Sequence, residues 1–199
     1  SVIVNNTANI GAGIGALPGS VDINKTLIAN NNGDYGSAIS MGEPFGLVIQ
    51  DINMNLINST IVNNSGAMTI GLINTAHLNI INSIFWENQS SYEISNLPNN
   101  SILNIQSSYS LFEQNLIGEG NMIGLDPLFF DSMSQNFTLQ ENSPCIDSGT
   151  FNIFNEIILD YYGEAPDMGA FEYHPLLGDV NGDQVISIID IIVIIEIII

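Results

Sequence analysis

Apolar residues along this chain fall in short β-branched runs, each soon broken by asparagine, glycine or serine, and show no helical periodicity over most of its length. Four segments repeat one pattern, an apolar stretch running into asparagine: Ser1-Val-Ile-Val-Asn-Asn6, Thr26-Leu-Ile-Ala-Asn-Asn31, Thr60-Ile-Val-Asn-Asn64 and Ser83-Ile-Phe-Trp-Glu-Asn88. Their closing asparagines, Asn6, Asn31, Asn64 and Asn88, are spaced by 25, 33 and 24 residues. Glycine-bearing elements lie between them, at Gly11-Ala-Gly-Ile14, Gly36-Ser-Ala-Ile39 and Gly66-Ala-Met-Thr-Ile70. A further element, Ile-Asn before Ser, Thr or Lys, recurs at Asn24, Asn58 and Asn82. Each period thus holds about three short strands.

Strand-bearing repeats of roughly 20–30 residues predict a β-solenoid. Leucine-rich repeats fit worse, because their leucine spacing is absent. In a solenoid each strand pairs in parallel with the one above, about 4.8 Å away. Equivalent asparagines then stack, and their amides bond from rung to rung. The competing role is glycan attachment, since Asn-x-Ser/Thr triplets start at Asn5, Asn24, Asn58, Asn63, Asn88, Asn99 and Asn136. In a chain with 27 asparagines that signal is weak.

Composition narrows the function. The 199 residues include one lysine, no arginine and 21 acidic residues, for a formal charge of −20. Only 11% are charged, so the acidity comes from missing bases. No nucleic-acid partner is expected, because phosphate neutralisation needs a basic patch and Lys25 stands alone. The same deficit counts against anionic membranes and polyuronates. At 45% hydrophobic the chain has ample core material. Cys145 is the single cysteine, so no intrachain disulfide forms. No initiator methionine, signal peptide or lipidation motif is seen, as expected of a processed chain or a fragment. The longest apolar run, Ile191 to Ile199 broken by Glu196, falls far short of the ~20 residues that span a bilayer, so no membrane insertion is expected.

The Asn-Asn segments, glycine turns and Asn82-Ser-Ile-Phe-Trp86 resemble the right-handed parallel β-helix repeats of secreted bacterial proteins. Residues 109–173 carry a more specific series: Tyr109-Ser-Leu111, Gly120-Asn121, Asp126-Pro-Leu-Phe129, Phe137-Thr-Leu-Gln140, Ser143-Pro-Cys-Ile-Asp-Ser-Gly149 and Asp167-Met-Gly-Ala-Phe-Glu-Tyr173. This series resembles the C-terminal part of choice-of-anchor Q β-helix proteins. The resemblance implies an extracellular or bacterial cell-surface location, with a sorting or anchoring module immediately afterwards.

After the linker His174–Gly178 comes Asp179-Val-Asn-Gly-Asp-Gln-Val-Ile-Ser-Ile-Ile-Asp190. Side-chain oxygens fall at loop positions 1, 3, 5, 9 and 12, on Asp179, Asn181, Asp183, Ser187 and Asp190, with the Val185 carbonyl at position 7. That is EF-hand spacing, which wraps hard oxygens around one Ca²⁺. Aspartate at position 12 makes the segment similar to a type I dockerin repeat, and the resemblance implies a cohesin-like protein partner. Two features depart from that family: Gln184 replaces the usual glycine at position 6, and one repeat is present where dockerins carry two. For Ile191–Ile199, β-branched composition favours a strand while the family implies a helix.

Polyuronate lyases need arginine or lysine as base and clamp, and a −20 chain repels such substrates. Asp34, Glu43, Asp51 and Glu87 are candidate hydrolase carboxylates, but no acidic cluster marks a site. His77 and His174 share no metal-like spacing, and Gly11–Gly15 reads as a solenoid turn. Cys145 is expected to pack in the final coil. Asp126, Asp147, Asp160 and Asp167 read as turn and cap residues. Trp86, Tyr92, Tyr109 and Phe112 are candidates for a sugar-stacking strip, although core packing fits them better.

The expectation is an all-β, right-handed parallel β-helix over residues 1–150. A closing segment at 151–173, a linker at 174–178 and a half-dockerin repeat with its Ile-rich tail at 179–199 would follow. The expected function is non-enzymatic: an extracellular structural or adhesive protein attached through a calcium-dependent C-terminal module to a cohesin-like partner or to another copy, with carbohydrate a further candidate ligand. The first alternative is a filament subunit joined end to end or by strand exchange, because the chain opens inside a coil with no evident cap. The second is a polysaccharide-degrading enzyme of the pectin-lyase-like superfamily.

Overall fold

The computed structural model describes residues 1–42, 51–73, 75–97, 102–114, 116–158, 160–176, 178–179 and 185–198. Four coils of three strands each open the chain. They are β1 (Val2–Val4), β2 (Ile14–Ala16) and β3 (Ser20–Asn24); β4 (Leu27–Ala29), β5 (Ile39–Met41) and β6 (Ile52–Ile57); β7 (Thr60–Val62), β8 (Ser65–Ile73) and β9 (Ala76–Ile81); and β10 (Ile84–Trp86), β11 (Gln89–Leu97) and β12 (Leu103–Ser108). Two short strands, β13 (Leu111–Phe112) and β14 (Met122–Ile123), then extend the first side. The sides are three parallel sheets, ordered β1-β4-β7-β10-β13-β14, β2-β5-β8-β11 and β3-β6-β9-β12. The chain is a parallel β-solenoid.

The predicted repeats align in register. Ile14 pairs with Ile39 and Ile39 with Ile70, so the three glycine-bearing elements stack as one side. Between the sheets one core column runs Ile3, Ile28, Ile61, Phe85 and Phe112, capped by the stacked Phe85 and Phe112 rings at 5.2 Å. Phe112 is therefore interior and takes no part in a sugar-stacking strip. The third sheet shows the half-buried alternation: Ile52, Met54 and Leu56 face inward while Asn53, Asn55 and Ile57 lie outside.

The Asn-Asn doublets have a two-part explanation. The first asparagine of each, Asn5, Asn30 and Asn63, adopts φ of 60°, 56° and 55°, and Glu87 stands at the fourth corner with φ 51°. Asparagine tolerates this left-handed conformation better than most residues. The second asparagine enters the solenoid as a ladder. Nδ2 of Asn6, Asn31 and Asn64 donates to Oδ1 of Asn31, Asn64 and Asn88 at 3.0, 3.0 and 3.1 Å, and the backbone N–H groups of the same three residues reach the same oxygens. Spare Nδ2 protons of Asn31, Asn64 and Asn88 satisfy the carbonyls of Ile3, Ile28 and Ile61.

The Ile-Asn element aligns less simply. Asn58 and Asn82 stack, with Nδ2 of Asn82 donating to Oδ1 of Asn58 at 3.1 Å. Asn24, however, pairs with Ile57, so Lys25 takes the equivalent left-handed corner below Asn58. Next to these corners runs a buried hydroxyl ladder that the repeats did not announce. Backbone N–H groups of Thr26, Ser59 and Ser83 donate to the hydroxyls of Ser59, Ser83 and Ser110, and Ser110 N–H ends the series on Asn121 Oδ1. Each hydroxyl in turn donates to the carbonyl two residues earlier.

Parallel pairing ends at Ile123. The following residues lie on the outer face of the first sheet, through the antiparallel pair β15 (Phe129–Asp131) and β16 (Asn136–Leu139), a small hairpin β17 (Asn152–Ile153) and β18 (Glu156–Ile157), and irregular chain to Tyr173. Leu27, Ala29 and Val62 meet Phe137, Phe129, Ala170 and Phe171. Ile84 and Leu111 meet Leu139, Cys145 and Met168. This cover explains why β4 and β7 are buried at every position. It also relocates Cys145, which packs on the outside of the first sheet and not within a final coil.

Candidate functional site

The C-terminal motif is described in part. Asp179 is half-buried, Val185 exposed, Ser187 half-buried and Asp190 buried, while Asn181 and Asp183 lie outside the described residues. Ile186, at loop position 8, lies against Gly178, the residue before the loop. The tail is a helix, α1 (Ile188–Ile198), which resolves the conflict between strand propensity and helix resemblance. Its first turn explains why. Ser187 Oγ accepts from Ile189 N–H at 3.1 Å, and Asp190 Oδ2 accepts from Ser187 N–H at 2.6 Å. This is a reciprocal capping box, with the acidic residue also placed favourably against the helix dipole. The cap offsets part of the weak helix propensity of isoleucine.

Hard oxygen donors at Asp179, Asn181, Asp183, Ser187 and Asp190 suit a calcium ion, and a buried Asp190 fits that donor set. Among the described residues no group of three or more histidine, cysteine or acidic side chains converges as a metal cluster. The other face of α1 is unusual. Ile188, Ile189, Ile191, Ile192, Ile194 and Ile195 are all exposed, and a helix apolar all round is normally covered.

The closing segment is built on carboxylates that bind backbone. Asp167, 2% exposed, accepts from the N–H groups of Asp147 at 2.8 Å and Tyr173 at 2.6 Å. Burial outweighs these bonds and raises its carboxyl to about 6. Asp147 accepts from Glu164 and Ala165, and Glu172 from Tyr162 and Asp167. Asp126 closes its own turn by accepting from Leu128 N–H. Asp160 pairs with Lys25 at 2.8 Å, so the chain's one lysine ties this segment to a solenoid corner. Asp126, Asp147, Asp160 and Asp167 thus all hold backbone turns or corners.

The remaining candidates are dispersed. Asp34, Asp51 and Glu87 are exposed at separate turns, and Glu43 lies outside the described residues. His77 sits on the third sheet beside Asn104, with Nδ1 to Nδ2 at 3.3 Å, while the His174 ring lies tilted at 58° against Tyr162, centroids 5.2 Å apart. Burial drives the Cys145 thiol up to about 12, which leaves no thiolate nucleophile at neutral pH. One carboxyl did not stand out in the sequence: Glu93, half-buried on β11 and raised to about 7, chiefly by burial and also by the Glu113 charge, against a lowering hydrogen bond from Asn88. Its signal was an acid in a strand of otherwise solenoid-like pattern.

Among the described residues no helix is long and apolar enough to cross a membrane. No protein-family model, no curated protein and no solved structure matches this chain.

Proposed function

We propose that this protein is a non-enzymatic structural or adhesive right-handed parallel β-helix of the extracellular space or bacterial cell surface, held to its surroundings by its C-terminal repeat. The observation that carries the reading is the approach of Ile186 to Gly178 just before the capped, isoleucine-covered helix α1. In this reading Asp179, Asn181, Asp183, Ser187, Asp190 and the Val185 carbonyl hold Ca²⁺, and the ion orders the loop so that α1 is presented to a cohesin-like partner or a second copy. The choice-of-anchor Q resemblance of residues 109–173 supports the location.

Calorimetric titration of chelator-treated protein with calcium tests it. One calcium per chain is expected, with affinity reduced by Asp183→Asn. Absence of calcium heat, or attachment unchanged in EDTA, overturns the mechanism. The filament alternative finds less support, because the first sheet stands two strands above the other two and a second copy stacked in register would meet that step. Negative-stain microscopy with and without calcium separates the two.

A further inference from the structure

The fourth coil is the last to run around all three sides. Leu111 aligns with Met122, a return of 11 residues, whereas Ile84 aligns with Leu111, a return of 27. Leu116 packs on the end of the core, and among the described residues β11 and β12 are the last strands of their sheets, with only Ser108 of β12 bridging onward, to Glu119. Among the described residues β11 pairs only with β8. It is nine residues long, and an edge of that length is a ready template for another strand.

A hollow of about 220 Å³ opens at this edge, lined by Tyr92, Glu93, Ile94, Ile105, Gln114 and Leu116. Ile94, Ile105 and Leu116 pack on the core and are only partly buried, as expected where a further coil is missing. Glu93 is the charged group of the lining, with the exposed Glu113 adding to its negative field. Ionising Glu93 in this half-buried place calls for a cation. The chain has one lysine, and it is engaged by Asp160. A −20 surface also steers basic ligands towards it.

The geometry points to β11 as a docking edge for an extended, lysine-bearing segment of another protein, which adds as a strand and places a basic side chain in the hollow at Glu93. Main-chain bonds to β11 supply affinity, and the hollow selects the charge. A second copy of this chain fits poorly, since its lysine lies at a solenoid corner and is paired. The inference stands apart from the calcium reading of the C-terminal repeat.

The test uses the full chain and a fluorescent nine-residue peptide alternating valine and lysine. The controls are a valine–glutamate peptide and a lysine peptide interrupted by prolines, which cannot pair as a strand. Anisotropy should show binding of the valine–lysine peptide alone, and amide exchange should slow across residues 89–97. Glu93→Gln should weaken binding by about fivefold or more, and the exposed Glu113→Gln by less. Equal binding of the proline-bearing peptide, protection elsewhere, or full affinity in both variants would overturn the proposal.

Discussion

Asn82 grips Thr150 through both halves of its amide: Oδ1 accepts from Thr150 N–H at 2.8 Å, and Nδ2 donates to the Thr150 carbonyl at 2.8 Å. One buried solenoid asparagine thereby latches the segment that returns over the first sheet. Close by, Gly169 N–H donates to the Asn82 carbonyl and Ala170 N–H to Thr60 Oγ1. Asn82→Ala strands two backbone groups and should cost roughly 2–4 kcal/mol in urea unfolding. Asn79→Ala, which removes a single half-buried bond to Asn55, should cost about 1 kcal/mol.

Position along the Asn ladder should set the cost of breaking it. Asn64 is fully buried, donates to Ile28, Val62 and Asn88, and accepts from Asn31. Asn64→Ala should cost about 3 kcal/mol or more. Asn6 is exposed and its side chain donates to Asn31, so Asn6→Ala should cost about 1 kcal/mol. Equal midpoint shifts for the two would mean that the ladder adds nothing beyond side-chain packing.

Stability should fall as pH rises from about 4.5 to about 7. Burial raises Asp167 to about 6 and Glu93 to about 7, both above their ordinary values. Within that window the folded protein binds more protons than the unfolded chain, so stability is greater at the acid end and levels off above 7. Self-repulsion of the −20 chain acts in the same direction. Melting curves should show a higher midpoint at pH 5 than at pH 8, and Glu93→Gln should narrow the gap. A midpoint that rises from pH 5 to pH 8 would contradict the burial of both groups.

Cys145 should be silent to a thiol reagent such as DTNB in the native protein and react fully in urea. Its side chain is buried, and its N–H donates to Ser143 Oγ, whose hydroxyl in turn donates to the Pro127 carbonyl. Rapid native labelling would show that the segment over the first sheet detaches readily.

The helix cap offers a local check. Ser187→Ala removes the acceptor for Ile189 N–H and should cost α1 about 1 kcal/mol, read as lost helical ellipticity. Ser187→Asp should restore much of it, since aspartate caps as well as serine.

Local chemistry made much of the architecture readable in advance. Asparagine tolerates the left-handed corner and carries both donor and acceptor for a ladder, so the Asn-Asn doublets located corners and rungs, and the spacings of 25, 33 and 24 residues proved to be the coil lengths on that side. Glycine-bearing elements marked a second side for a similar reason: Gly36 adopts φ +68°, and a Cβ there would meet the Ile39 carbonyl.

Tertiary structure decided the rest. The pairing of Asn24 with Ile57 depends on the neighbouring rung, not on the Ile-Asn element itself. The burial of both faces of β4 and β7, and with it the place of Cys145, follows from residues of the closing segment, Phe129 to Phe171, folding back over the first sheet. Glu93 acquires its raised proton affinity from burial among Ile105, Gln114 and Leu116, residues that the fold brings to it from further along the chain, with the Glu113 charge adding to it. Periodicity encodes what repeats from rung to rung; where the repeat stops, and what covers it, is set by contacts that no spacing records.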